Sequence, residues 1–241
     1  MNAILNKSIT IKRYNPLYKG YKNFVKNFSK ESVSQNEIKT EFIYLQDRFV
    51  KEGQTEAFCA NSENLIEQLI TNGREKIANI LLNELGKLHL RKKHFPLAER
   101  YIIMSLNLSK NFKDNFHVLA RLNDLERIYK ATGERKKLLG VLHNKKECIK
   151  EIINNYDVSV KNYQSIVRPP TSLDAVMVQL AYTYSDISDL LLRRRPQDSL
   201  NATVKARNIY QKLGRAKETQ YLNVKIERIA QRLQRSKHLD K

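Results

Sequence analysis

The sequence is poor in the residues that interrupt helices. Seven glycines and five prolines are spread over 241 residues, too few for the turns of most all-β folds or for a breaker-rich disordered chain. Tryptophan is absent, and cysteine occurs only as Cys59 and Cys148. Neither belongs to a Cys-x-x-Cys pair, so there is no framework for a disulfide-stapled secreted domain. Both sit among apolar neighbours and read as buried, reduced thiols. No run reaches the ~20 apolar residues that a membrane span requires, and Met1-Asn2-Ala3-Ile4-Leu5-Asn6-Lys7 lacks the apolar core of a secretory signal. Phosphate-cradling or nucleophile loops of the form GxxxxGK[ST], GxGxxG or GxSxG do not occur. The five histidines, His89, His94, His117, His143 and His238, show no HExxH or HxxxH spacing. The expectation is a cytoplasmic protein without a membrane span, an enzymatic site, a cofactor or a metal.

What is abundant is charge, and it is uneven. The formal net charge is +19 with a pI near 9.8. Residues 1–35 hold seven Lys/Arg against Glu31, and residues 205–241 hold eleven against Glu218, Glu227 and Asp240. A field of this sign favours acidic proteins, nucleic acid or anionic membranes as partners.

Breakers recur with a step of about twenty residues. Gly53, Gly73 and Gly133 each stand where a helix should close, because glycine accepts the left-handed conformation that ends helices. His94-Phe95-Pro96, Asp114-Asn115, Asn154-Asn155, Arg195-Pro196 and Gly214 continue the ruler. The intervals have helical period. Ile38, Phe42, Leu45 and Phe49 form the first stripe, followed by Phe58, Leu65 and Leu69 and then by Ile77, Leu81, Leu85 and Leu88. Leu97, Tyr101, Met104 and Leu108 follow Pro96. Val176, Leu180, Tyr184, Ile187 and Leu191 follow a capping box at Thr171-Ser172-Leu173-Asp174, and Ser34 caps the helix that opens the series. Leu200 and Val204, then Leu222, Ile226, Ile229 and Leu233, close it. Helices of equal length on short turns must run antiparallel to their neighbours, and a repeated pair builds a solenoid. A closed bundle is the alternative.

Leu82, Leu85, Gly86, His89, Ala98 and Ser105 resemble the tetratricopeptide repeat. They give a large apolar residue, Leu-Gly, an aromatic place, and two small residues on the second helix. Leu122, Leu125, Tyr129 and Gly133 repeat the register forty residues later, although Glu126 and Lys145 stand where small residues belong. Ile209-Tyr210-Gln211-Lys212-Leu213-Gly214 resembles the join of the forty-residue variety found in kinesin light chains. The resemblance implies an all-α fold, antiparallel hairpins stacked as a right-handed solenoid over residues 36–237. Residues 155–171 form an insertion or linker, and residues 1–35 a basic segment ahead of the repeats. That segment carries a short amphipathic helix opened by Asn15-Pro16, with Tyr18, Tyr21, Val25 and Phe28 on one stripe.

The same resemblance implies that the first helix of each pair lines a peptide-binding groove. Asn83, Asn123 and Asn223 fall at one groove position, where an amide can donate to and accept from a peptide backbone at once. Lys87 and Arg127 lie one turn on, with Arg91 and Lys130 beyond, giving a basic stripe suited to an acidic peptide. A protein or peptide partner is therefore expected first and nucleic acid second. Arg193-Arg194-Arg195 reads as a helix end that offsets the macrodipole. Arg228, Arg232, Arg235 and Lys237 form a basic helical face. Asp186 and Asp189 read as surface charge.

Overall fold

A turn of three residues recurs every twenty through the first half of the chain. At each, the residue after the left-handed one returns its N–H to a carbonyl five residues back: Gln54 to Phe49, Arg74 to Leu69, His94 to His89 and Asp114 to Ser109. These bonds satisfy carbonyls that a helix end would otherwise orphan. Gly53, Gly73, Gly133 and Gly214 adopt positive φ as expected, but Lys93 (φ 58°) and Lys113 (φ 54°) do so at the two turns that lack glycine. The periodicity, not the glycine, is what the fold keeps.

The structure, a computed structural model, describes residues 16–28, 35–157, 159 and 172–239. Among them are ten α-helices and no strand: α1 (Pro16–Phe28), α2 (Gln35–Lys51), α3 (Thr55–Thr71), α4 (Glu75–Arg91), α5 (Phe95–Asn111), α6 (Asn115–Thr132), α7 (Arg135–Asn154), α8 (Leu173–Leu191), α9 (Pro196–Lys212) and α10 (Ala216–Leu239). Asn15, Ser34 and most of the 155–171 insertion lie outside the described residues. The chain divides into two compact units, Met1–Leu108 and Ser109–Lys241.

In the first unit, Phe42, Phe49 and Phe58 meet at ring-centroid distances of 5.0 and 5.4 Å. Leu17, Tyr21 and Phe24 of α1 enter the same core. Of the stripe expected on this helix, Tyr21 lies in the core and Val25 at its margin, joined by Leu17 and Phe24, while the side chains of Tyr18 and Phe28 lie outside the described residues. Bonds also run between every second helix, which is what stacking of hairpins requires. Gln46 Nε2 on α2 donates to the Glu84 carbonyl on α4 (3.3 Å), and Tyr101 Oη on α5 donates to Glu63 Oε1 on α3 (2.5 Å).

The second unit repeats the scheme. Lys130 on α6 pairs with Asp186 on α8 (3.0 Å), and Asp189 on α8 pairs with Lys225 on α10 (2.8 Å). The two aspartates read as surface charge thus tie first helices together. Asp114 caps α6 by accepting from the His117 N–H, and Ser172 caps α8 by accepting from the Ala175 N–H.

The second helices α5 and α9 depart from the expected stripes, whereas α3 buries Phe58, Leu65 and Leu69 as expected. On α5 the buried residues are Ala98, Tyr101, Ile102, Ser105, Leu106 and Ser109, while Leu97 and Met104 are exposed. On α9 they are Ser199, Ala202, Thr203, Ala206 and Tyr210, with Leu200 and Val204 only half-buried. Close helix approach selects small side chains over hydrophobic ones. The clearest instance is Gly86, where a Cβ would meet Ile102 Cγ1 at 2.7 Å. A network among the hydroxyls of Ser188, Ser199 and Thr203, at 2.7 to 2.9 Å, closes the α8–α9 contact and leaves each buried oxygen satisfied.

Candidate functional site

The seven residues expected to line a groove lie on first helices: Asn83, Lys87 and Arg91 on α4, Asn123, Arg127 and Lys130 on α6, and Asn223 on α10. Their surroundings differ. In the first unit the three residues stand in or beside a polar cluster around Glu84, which is 4 % exposed, with Lys87 half-buried and Arg91 exposed. Asn83 Nδ2 donates to Glu84 Oε1 (3.0 Å), Lys87 Nζ reaches the same oxygen at 3.2 Å, and Lys39 Nζ approaches it at 4.0 Å. Arg91 donates to Gln46 Oε1 (3.1 Å). Asn83 itself is buried. Arg91 and Lys39 bridge α2 and α4, whereas Asn83 and Lys87 bond the Glu84 carboxylate within α4.

On α6 the pattern splits. Lys130 bridges Glu126 (2.7 Å) and Asp186 (3.0 Å), and Lys145 of α7 reaches the other oxygen of Glu126 at 2.7 Å. Burial opposes charge on both Glu126 and Lys130. Their mutual hydrogen bonds, with those to Lys145 and Asp186, outweigh it, holding the carboxyl below and the ammonium above their usual ranges. This explains why Glu126 and Lys145 occupy places where small residues were expected: a hydrogen-bonded ion pair bridges α6 and α7 where small side chains would have touched. Arg127 is different. Its side chain is 70 % exposed, with Asp124 at 3.8 Å. Asn123 beside it is half-buried.

Asn223 stands on α10 in a groove of about 550 Å³, together with Gln211, Gln220 and Glu227. All three amide side chains there are exposed. The sequence pointed to Asn223 alone; Gln220 lies one turn before it on the same face, and Gln211 arrives from the end of α9.

The acidic counterparts of the stripe were the residues missed. Their signal is present in the sequence, since Glu84–Lys87 and Asp124–Arg127 are spaced i,i+3 and Glu126–Lys130 i,i+4, the separations at which helical side chains meet.

Neither cysteine has reactive chemistry. Burial pushes the Cys59 thiol up to about 11 and the Cys148 thiol up to about 12, so both are protonated at neutral pH. Cys59 Sγ lies 3.4 Å from His89 Nε2, but burial, then His94 and Lys92, lower the imidazole's proton affinity. It stacks on Tyr101 at 5.4 Å and 20°, filling the aromatic place as expected. Among the described residues no group of three or more His, Cys, Asp or Glu side chains could hold a metal ion, and no helix is long and apolar enough to cross a membrane.

Comparison with known proteins adds little to this geometry. No family model matches the chain, and no curated protein matches it. Solved structures do match, and two of them show the level of similarity. One is a Podosopora anserina kinesin light chain with nearly identical TPR-like repeats, at 17 % identity and a TM-score of 0.38 over 84 % of this chain and 99 % of that one. The other is a single-substitution variant of that protein, at 18 % identity and 0.38 over 81 % and 96 %. At that level of superposition, the all-α repeat assignment rests on the turns and on the bonds between every second helix.

Proposed function

We propose that the chain is a non-enzymatic, cytoplasmic protein-interaction module that holds an extended peptide or a helix against the first helices of its hairpins. The observation that carries this reading is the amide-lined groove on α10. Gln211, Gln220 and Asn223 present exposed side-chain amides around one trough, and an amide satisfies the alternating N–H and C=O of a peptide backbone with both halves at once. On α6, Asn123 and the outstretched Arg127 supply a second polar stretch of the same kind. Asn83 and Lys87 contribute by holding the Glu84 carboxylate within α4, Arg91 by fixing α2 against α4, and Lys130 by fixing α6 against α8. Two buried, protonated thiols fit a reducing compartment.

Selection of peptides from a random display library against the full chain tests the proposal. Each side-chain hydrogen bond to peptide contributes about 1 kcal/mol net. Gln220→Ala with Asn223→Ala should therefore weaken an enriched peptide about tenfold or more. Asn123→Ala with Arg127→Glu should weaken it further while leaving helicity intact. Enriched peptides that bind these variants with unchanged affinity would remove the groove from consideration.

Association with nucleic acid is the second reading, favoured by the exposed guanidinium groups of Arg193, Arg194, Arg228 and Arg232. Phosphate binding falls log-linearly and steeply with salt, whereas amide–backbone contacts change little.

A further inference from the structure

α10 has a second flank, and its chemistry differs from that of the amide trough. Tyr221, Val224, Arg228 and Arg232 follow one another at spacings of three, four and four, and so share one helix face. Tyr221 is 69 % exposed and Val224 41 % exposed, on a helix that buries Leu222 and Ile229. Between this face and Leu192, just past the end of α8, runs a groove of about 470 Å³ floored by Leu192, Val224 and Ile229. Its cations are not equivalent. Lys225 is committed to Asp189 at 2.8 Å, whereas Arg228 and Arg232 have exposed side chains and no ion-pair partner among the described residues.

We infer that this flank is a docking site for an acidic amphipathic helix of another protein. The apolar floor beneath two uncommitted guanidinium groups is what that occupant requires. Apolar residues at i, i+3 or i+4, and i+7 fill the groove, while Asp or Glu on the borders of that stripe meet Arg228 and Arg232 in charge-assisted, bidentate hydrogen bonds. A second copy of this chain is a poor occupant, because two molecules of formal charge +19 repel one another. Nucleic acid would use the arginines and Tyr221 but leave the aliphatic floor unmatched. The groove adjoins the amide trough and shares Gln220 and Val224 with it; Asn223 lines only the trough and Arg228 and Arg232 only this groove, so substitutions at those residues separate the two readings.

The probe is a fluorescein-labelled 18-residue peptide with leucine at i, i+3, i+4 and i+7 and glutamate on both borders, titrated with the full chain by anisotropy. A matched peptide carrying lysine for glutamate is the control. The acidic peptide should bind and the basic one should not. Arg228→Glu with Arg232→Glu should weaken the acidic peptide at least tenfold and admit the basic one. Val224→Asp should weaken the acidic peptide at least tenfold without altering the far-UV circular dichroism spectrum, and Asn223→Ala should leave it unchanged. The inference is overturned if the acidic peptide fails to bind, or if it binds the double charge reversal as well as the parent. It is equally overturned if a generic single-stranded oligonucleotide displaces the peptide at physiological salt, or if the same substitutions instead dissolve a concentration-dependent dimer.

Discussion

Gly86 and Gly140 lie inside helices, on α4 and α7, and the same substitution should act on them with opposite sign. Glycine in a helix interior is about 1 kcal/mol less favourable than alanine, so Gly→Ala starts from an equal gain at both sites. At Gly140 nothing lies within 4 Å of the new Cβ, and the gain is kept. At Gly86 the Cβ falls 2.7 Å from Ile102 Cγ1 and 3.5 Å from both Ile102 Cδ1 and the Ile102 backbone nitrogen, against the 3.5–4.0 Å of a normal carbon contact. Ile102 is completely buried, and its Cγ1 is close to the main chain, so α5 must shift or the side chain must leave its rotamer. Overpacking of that kind costs about 1–3 kcal/mol. Because the propensity gain cancels between the two variants, Gly86→Ala should melt below Gly140→Ala by that whole amount. For a chain of this size that is about 2–12 °C, at roughly 2–4 °C per kcal/mol. Thermal denaturation followed at 222 nm measures it. Ile102→Ala should reverse the sign, making Gly86→Ala stabilising in that background by about the amount seen at Gly140. Equal melting points for the two single variants would refute the close approach of α4 and α5, and with it the role assigned to the Leu85-Gly86 pair.

Two other expectations concern buried charge. Glu126→Ala strands the Lys145 ammonium, which is 8 % exposed, and should cost about 2 kcal/mol or more; Glu126→Ala with Lys145→Ala should recover part of the loss in urea denaturation, and a double variant less stable than the single would refute the pairing. Because the Glu126 carboxyl is depressed in the fold, the stability it supplies is present above the ordinary carboxylate value near 4.3 and is lost as pH falls through the folded value. His89 works in the same sense in the other unit: its proton affinity is lowered by burial, so its contribution is complete above the unfolded value of about 6.5 and declines as pH falls below it. His89→Phe, which keeps the stack on Tyr101, should flatten the dependence of the urea midpoint between pH 7.5 and 5.5, and an unchanged slope would show that His89 is not the titrating group.

First helices were legible because their cores use large apolar residues at helical spacing. Ile38, Phe42, Leu45 and Phe49 on α2, and Leu81, Leu85 and Leu88 on α4, are all buried as their periodicity demands. The second helices α5 and α9 were less so. α5 and α9 turn Ala98, Ser105, Ser199, Ala202 and Ala206 inward, and a hydrophobicity count registers these as neutral. Leu97 and Met104, which such a count places in the core, stay outside. The Leu-Gly pair at 85–86 still marks the register, because the space that Gly86 vacates decides which residues of α5 can face it.

For the candidate groove the limit was of another kind. Reading one helix at a time identifies cations on a face, but whether a cation is available to a ligand depends on the neighbouring helix of the same layer. Arg91 meets Gln46 across 45 residues and Lys130 meets Asp186 across 56, distances in sequence that no helical period encodes. Arg127 stays 70 % exposed beside Asp124 of its own turn, while Arg228 and Arg232 are exposed on α10. Lys130, paired with Asp186 of the next first helix, is thus occupied within the fold, whereas Arg228 and Arg232 have no ion-pair partner among the described residues and remain to recruit a partner. Binding energy should therefore concentrate on α10 rather than spread along the whole polar stripe, and substitutions at Lys87 or Lys130 should register first in stability and only second in affinity.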